Sequence, residues 1–260
     1  CKLSISRIYR RDRMKKITAL VLTVVLLPLA LTAGGSKEKT TLVMGTNAAF
    51  PPFEYIGGAT GNEVVGFDVE IAKAIAAKAG KTLKIEDMEF DSLLTALQAS
   101  KIDMAIAGMT ITAKRKESVD FSDPYYEATQ AVILKAENTA IRNLDDLKGK
   151  KISVQLGTTG NEISKKYTKD EAIVAFNTGF EAVMELKKNR VDCVIIDEQP
   201  AQNFVKKNPD LKVVKMNFDP EFYGIAVKKG NPALLSIINA TLAELKSSGR
   251  YDALVTEYIK

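Results

Sequence analysis

The chain has 260 residues, 46% of them apolar, enough for one large core or two smaller ones, and its body shows no low-complexity bias. Its formal net charge of +5 is misleading: the first 39 residues hold nine of the 37 Lys and Arg but only two of the 32 acids, Asp12 and Glu38. The remaining 28 bases face 30 acids, which removes the basic surface a nucleic-acid partner needs. With no histidine, and cysteine only at Cys1 and Cys193, the chain lacks the usual groups for transition-metal sites and His-assisted catalysis, so no metal and no cofactor is expected.

Residues 1–39 read as an export signal with upstream residues. Met14-Lys15-Lys16 is a charged start, residues 17–31 are apolar and broken by Pro28, and residues 32–36 are small. Residues 1–13 precede Met14 and are expected to carry no fold. Leu31-Thr32-Ala33-Gly34 resembles a bacterial lipoprotein cleavage box in which Gly34 replaces the lipid-accepting cysteine, so an exported protein without lipid is expected, in the periplasm or at the outer face of the cytoplasmic membrane.

From Thr41 onward short β runs alternate with amphipathic helices, the pattern of an α/β protein with mainly parallel sheets. A strand at 42–45 leads to the Pro51-Pro52 loop, a helix starts at Phe67 and ends near Gly80, and a second strand covers 81–86. The run 129–135 is apolar on both faces, fit for a buried strand or a crossover between lobes. Beyond it a second series begins: strand 151–155, loop Gly157-Thr158-Thr159-Gly160, helix, strand 172–176, helix and strand to Ile196. A further apolar run, 223–228, precedes a terminal helix pair over 232–260. Cys193 alternates with apolar residues and is expected as a buried, inert thiol.

The two series share one unit. Residues 90–107 and 180–196 each run from a helix through a basic-apolar-Asp turn, Lys101-Ile102-Asp103 and Arg190-Val191-Asp192, into a short apolar strand. Just past the first strand stand Gly108, Thr110 and Arg115, and the second closes on Asp197, so one unit offers a cation and the other an anion. The second series is expected inside the first, with linking strands near 129–134 and 222–227: residues 40–129 with 224–260 form one lobe and residues 130–223 the other.

Ligands of open α/β sheets sit at the carboxyl edge of the strands. Gly108 there lets backbone approach a ligand, Thr110 offers a hydroxyl, and Arg115 offers a planar fork suited to a carboxylate. Arg115 alone also reads as a solvated charge, Thr158 or Thr159 as a helix cap, and Asp197 as a cap before Gln199-Pro200; Phe50 and Phe67 alone read as core.

Five segments in this order resemble a known family: residues 45–54 with Phe50-Pro51-Pro52-Phe53-Glu54, Val65-Gly66-Phe67-Asp68, 107–115, 119–126 and Gly249-Arg250-Tyr251-Asp252. Over about 41–260 the chain is similar to the solute-binding proteins of ABC importers for polar amino acids. The resemblance implies an α/β, two-lobed periplasmic-binding-protein fold (type II), its two mainly parallel sheets joined by a two-strand hinge. It implies that Arg115 with the amides of Thr110 and Thr159 holds the ligand α-carboxylate, and that the Gly108 carbonyl, Thr110 hydroxyl and Asp197 hold the α-ammonium. Phe50 and Phe67 match aromatic walls, and Asn47 and Gln155 match positions facing the side chain.

The resulting expectation is a monomeric amino-acid receptor serving an ABC permease in the membrane, without catalysis. Several relatives carry Asp where this chain has Asn47, which places a glutamine-like polar ligand first and arginine or another cationic amino acid second. The rival is an exported cyclohexadienyl-dehydratase-like enzyme on the same fold, with Glu54 or Glu198 as general acid. A receptor's sensing module is disfavoured because no internal apolar stretch approaches spanning length.

Overall fold

The structure, a computed structural model, describes residues 39–260; the expected export signal, Gly34 and the residues before Met14 lie outside the described residues. Two five-stranded sheets carry the fold. In the first, Thr41–Thr46 runs parallel to Thr82–Asp87 on one side and to Met104–Ala105 on the other, and Ala226–Lys228 pairs antiparallel with Met104–Ala105 and Val119–Phe121. In the second, Ile152–Gln155 runs parallel to Ile173–Phe176 and Cys193–Asp197, and Gln130–Lys135 pairs antiparallel with Cys193–Asp197 and Leu211–Lys215. Each sheet thus has three parallel strands extended by antiparallel ones.

The repeated Asp does one job twice. Asp103 Oδ2 accepts from the Val43 amide and Asp192 Oδ2 from the Lys151 amide, each at 2.8 Å, while the amides of the two Asp residues return to the carbonyls of Val43 and Lys151 at 2.8 Å. Each Asp therefore pins an inner strand of its sheet near that strand's amino end. The turns before them match as well, since Ser100 and Asn189 take the left-handed conformation at φ 56° and 58°. The helices of the units differ. Thr178 and Glu181 form a capping box that starts Gly179–Lys187 cleanly, whereas the first copy has no side-chain cap and enters through a 3-10 turn, Phe90–Ser92, before Leu93–Gln98.

The linking strands lie earlier in the chain than the apolar runs near 129–134 and 222–227 indicate. Tyr126–Ala128 and Glu221–Tyr223 pair antiparallel and form their own two-stranded sheet. Gln130–Lys135 is instead a central strand of the second sheet, with residues 130–134 all buried, which explains its two apolar faces. A three-stranded sheet absent from the sequence reading, Ala49–Phe50, Glu54–Gly57 and Glu63–Val65, folds around the Pro51-Pro52 turn. Helix Phe67–Lys78 buries Phe67, Val69, Ile71, Ala72 and Ile75 and packs against the terminal helix Pro232–Ser247. Burying each large apolar side chain of that face contributes about 1.5–3 kcal/mol. Cys193 is fully buried in its strand, and burial raises its thiol pKa to about 12, as expected of an inert thiol.

Candidate functional site

The carboxyl edges of the two sheets face one another, and their residues converge on one small space. Asn47 follows the strand Thr41–Thr46 of the first sheet and Gln155 ends the strand Ile152–Gln155 of the second, equivalent positions in the two halves. Gln155 Nε2 donates to Asn47 Oδ1 at 2.9 Å and to the Asn177 carbonyl at 3.0 Å, while Asn47 Nδ2 donates to the Met88 carbonyl at 2.9 Å. Phe50, Gly108, Thr110, Arg115, Thr159 and Asp197 line the same space with them. These residues enclose a cavity of about 10 Å³, room for about one water.

Arg115 is not a solvated charge. It is only 9% exposed, on the short helix Ala113–Lys116, which Thr112 caps by accepting from the Arg115 amide. Its Nη1 donates to the Thr110 carbonyl at 2.6 Å, its Nη2 reaches the Gly157 carbonyl at 3.0 Å, and its guanidinium lies 5.3 Å from the Phe90 ring centre. Burial pulls its pKa down while Glu221 and Asp197 pull it up. The two glycines are sterically required. At Gly108, φ +52°, a Cβ would stand 2.7 Å from the Phe50 ring, and at Gly157, φ +76°, it would stand 2.9 Å from Asp91 Cβ, where the two halves touch.

Asp197 ends the strand Cys193–Asp197 and precedes helix Glu198–Lys206, yet its side chain makes no capping bond. It accepts instead from the Tyr223 hydroxyl at 2.6 Å. Burial first, and Glu221 second, raise its pKa from 3.8 to about 7. On the neighbouring loop Thr158 caps Thr159–Ser164 through the Asn161 amide, which leaves the Thr159 hydroxyl to the cleft.

Phe67 is the exception among the expected residues. It is fully buried beneath the cleft, edge-on to Phe53 at 6.2 Å and to Tyr251 at 5.6 Å, because the first residue of its helix points into the core. The second aromatic lining the space is Phe90, at the end of the loop that follows Thr82–Asp87. Its signal was available in the sequence: it opens the first repeat unit at a strand's carboxyl edge, the mark that singled out Gly108.

The linking strand Glu221–Tyr223 supplies two more polar groups, Tyr223 and Glu221. Glu221 Oε2 accepts from the Thr110 hydroxyl at 2.6 Å, the Thr159 hydroxyl at 2.8 Å and Gln130 Nε2 at 3.4 Å. Neither residue sits in a motif, and only the pairing of the linking strands brings them in. Beside the cleft, Glu54 and Asp68 are both fully buried. Asp68 Oδ2 accepts from the Gly108 amide at 2.9 Å and the Tyr125 hydroxyl at 2.8 Å, while Asp68 Oδ1 and both Glu54 oxygens accept from no donor among the described residues. Burial, and after it the neighbouring Asp68, raises Glu54 well above its ordinary value, and burial raises Asp68 to about 6. Glu198, the other acid considered for catalysis, is tied to Lys215 at 2.6 Å and to Gln202 at 2.6 Å.

The site can therefore grip a small molecule at two poles, with Arg115 at one end and Asp197 at the other, between the rings of Phe50 and Phe90. Residues 42–260 match the family model of the bacterial extracellular solute-binding proteins, family 3. The arginine-binding extracellular protein ArtP of Bacillus subtilis (strain 168) is 38% identical over 250 residues, covering 90% of this chain and 94% of that protein. An ancestral arginine-binding protein bound to arginine superposes with a TM-score of 0.81 at 47% identity, covering 85% of this chain and 99% of the other. An ancestral arginine-binding protein bound to glutamine superposes with a TM-score of 0.80 at 47% identity, covering 85% of this chain and 98% of the other.

Proposed function

Because the chain belongs to the bacterial extracellular solute-binding proteins of family 3, we propose that it captures a free amino acid between its two sheets and hands it to an ABC importer. One observation carries this reading: Arg115 and Asp197, contributed by opposite halves, line a single buried space. In this reading Arg115 and the amides of Thr110 and Thr159 take the α-carboxylate. The Gly108 carbonyl, Thr110 hydroxyl and Asp197 take the α-ammonium, and Phe50 and Phe90 flank the side chain. The lobes are residues 40–129 with 224–260 and residues 130–223, and they turn about the paired linking strands. Such hinge closure, for which periplasmic binding proteins are a standing example, needs only a few backbone dihedrals to change. A cavity of about 10 Å³ admits an amino acid only when the lobes draw apart.

The side-chain contacts favour a cationic amino acid over the glutamine-like ligand that Asn47 and Gln155 first imply. Those two amides bond each other, which leaves Gln155 Oε1 as an acceptor with no protein donor among the described residues, suited to a guanidinium. The charge balance agrees: among the described residues Arg115 is the one cation lining the space, which the carboxyl groups of Asp197 and Glu54 also line, with Glu221 bonded to the Thr110 hydroxyl beside it. Arginine is the first candidate. The protein acts outside the cytoplasmic membrane as a monomer without lipid and without catalysis. The relatives named above are binding proteins, and Glu198 is held in its ion pair rather than free as an acid.

Thermal-shift measurement across the common L-amino acids tests the reading, since a ligand that binds only the folded state raises the melting temperature. The largest rise is expected for arginine. No rise for any amino acid would overturn the reading.

A further inference from the structure

Resting on the proposed function, we infer that Glu221 is a positioning residue of the amino-acid site: it takes the protons of the Thr110 and Thr159 hydroxyls, turns their lone pairs toward the ligand's α-ammonium, and so makes the site select for that group.

The argument begins with what a threonine hydroxyl can do. It has one proton to donate and lone pairs to accept with, and its rotor is free until a partner fixes it. A free hydroxyl in the cleft serves a ligand's carboxylate as readily as its ammonium and discriminates between neither. Here both hydroxyls have spent their protons on one oxygen, Glu221 Oε2, at 2.6 Å from Thr110 and 2.8 Å from Thr159. Only acceptor capacity is left at either hydroxyl, and the Thr159 hydroxyl already accepts from Gln130 Nε2 at 3.4 Å. Glu221 is 9% exposed and Thr110 is 7% exposed, so water does not compete freely for these groups. Hydrogen bonds to an ionised acceptor are about twice as strong as neutral ones, so the orientation is firmly held.

The location of Glu221 adds a second reason. Thr110 follows the first sheet's Met104–Ala105 and Thr159 opens a helix packed on the second sheet, whereas Glu221 begins the linking strand between them. Two residues along that strand, Tyr223 donates to Asp197 Oδ1 at 2.6 Å and forms an isolated bridge with Thr110. One three-residue strand thus orients the Thr110 hydroxyl and the Asp197 carboxylate expected around the ammonium, and the Thr159 hydroxyl with them. A misplaced hinge misaligns all three together, which couples ligand selection to lobe closure.

The test is calorimetric titration with two ligands: the amino acid giving the largest thermal shift, arginine on the present reading, and its analogue lacking the α-amino group. Wild type, Glu221→Leu and Glu221→Gln are compared. Wild type is expected to prefer the amino acid by about a hundredfold or more, since a site with polar groups built for a substrate group rejects the analogue lacking it. Glu221→Leu removes the acceptor and is expected to cut this preference at least about tenfold, with the analogue's affinity changed less than about threefold. Glu221→Gln retains an acceptor oxygen and is expected to restore most of the preference. An unchanged preference in Glu221→Leu, or equal weakening of both ligands, overturns the inference while leaving the amino-acid reading standing. Should Glu221→Leu not fold, Thr159→Val decides in its place: a reduced preference supports the inference and an unchanged one overturns it. Failure of wild type to bind any amino acid overturns both.

Discussion

Lowering the pH from 8 to 5 should weaken amino-acid binding about a hundredfold, through Asp197. Its carboxyl is buried, with Glu221 adding repulsion, and titrates at about 7 rather than 3.8. An α-ammonium binds the ionised form, and the ligand's own charges do not change across this range. Above pH 7 the free protein already presents a carboxylate. Below it each unit leaves about one tenth as much of the binding form, so two units amount to about 2.7 kcal/mol. The unliganded protein should show the opposite slope. Because Asp197 at about 7 and Asp68 at about 6 stand above their unfolded value, the folded state keeps protons that the unfolded chain has released. Their contribution is therefore full below about pH 4 and is lost as the pH rises to about 7, on the order of 3 kcal/mol for Asp68 and 4 kcal/mol for Asp197. Calorimetric titrations at one-unit steps from pH 5 to 8, with denaturant melts of the unliganded protein at the same values, measure both slopes. Asp197→Asn should bind weakly and with a flat pH profile. Wild-type affinity that is flat over this range, or that rises toward acid, refutes the reasoning.

On the proposed site Arg115→Ala would remove two charge-assisted bonds to the ligand carboxylate, worth about 1.5–3 kcal/mol each, so affinity should fall roughly a hundredfold to ten-thousandfold by calorimetry. Phe67→Ala should cost about 3–5 kcal/mol in a denaturant melt while affinity per folded molecule stays within about threefold, because this ring lies in the core below the cleft. Phe90→Ala should differ by weakening binding as well, because it removes the ring beneath Arg115, while costing a similar amount of stability since this ring is also buried in a core cluster. Asp103→Ala and Asp192→Ala should each cost about 1 kcal/mol by the same melt, since each frees one inner-strand amide.

Much of this architecture was legible because it depends on local pattern. The duplicated basic-apolar-Asp turn marked both sheets, and the carboxyl-edge rule then placed Gly108, Thr110, Arg115 and Asp197 on one cleft. Three features escaped for physical reasons. The linking strands are three residues each, too short to show alternation, and the apolar runs beside them belong to central strands. Phe67 and Phe90 both begin helical turns; Phe90 carries the carboxyl-edge mark, but that Phe67 turns into the core is decided by packing. Glu221 enters through pairing with residues almost a hundred positions away, Glu221 opposite Ala128, a long-range fact that no short motif records.

The central claim is that Arg115 and Asp197 hold the two poles of one free amino acid. Titration calorimetry of wild type with L-arginine, alongside Arg115→Ala, tests it most directly. The account predicts one ligand per chain at about micromolar affinity, near 8 kcal/mol, and near-complete loss in the variant. Near-normal binding by Arg115→Ala would contradict it.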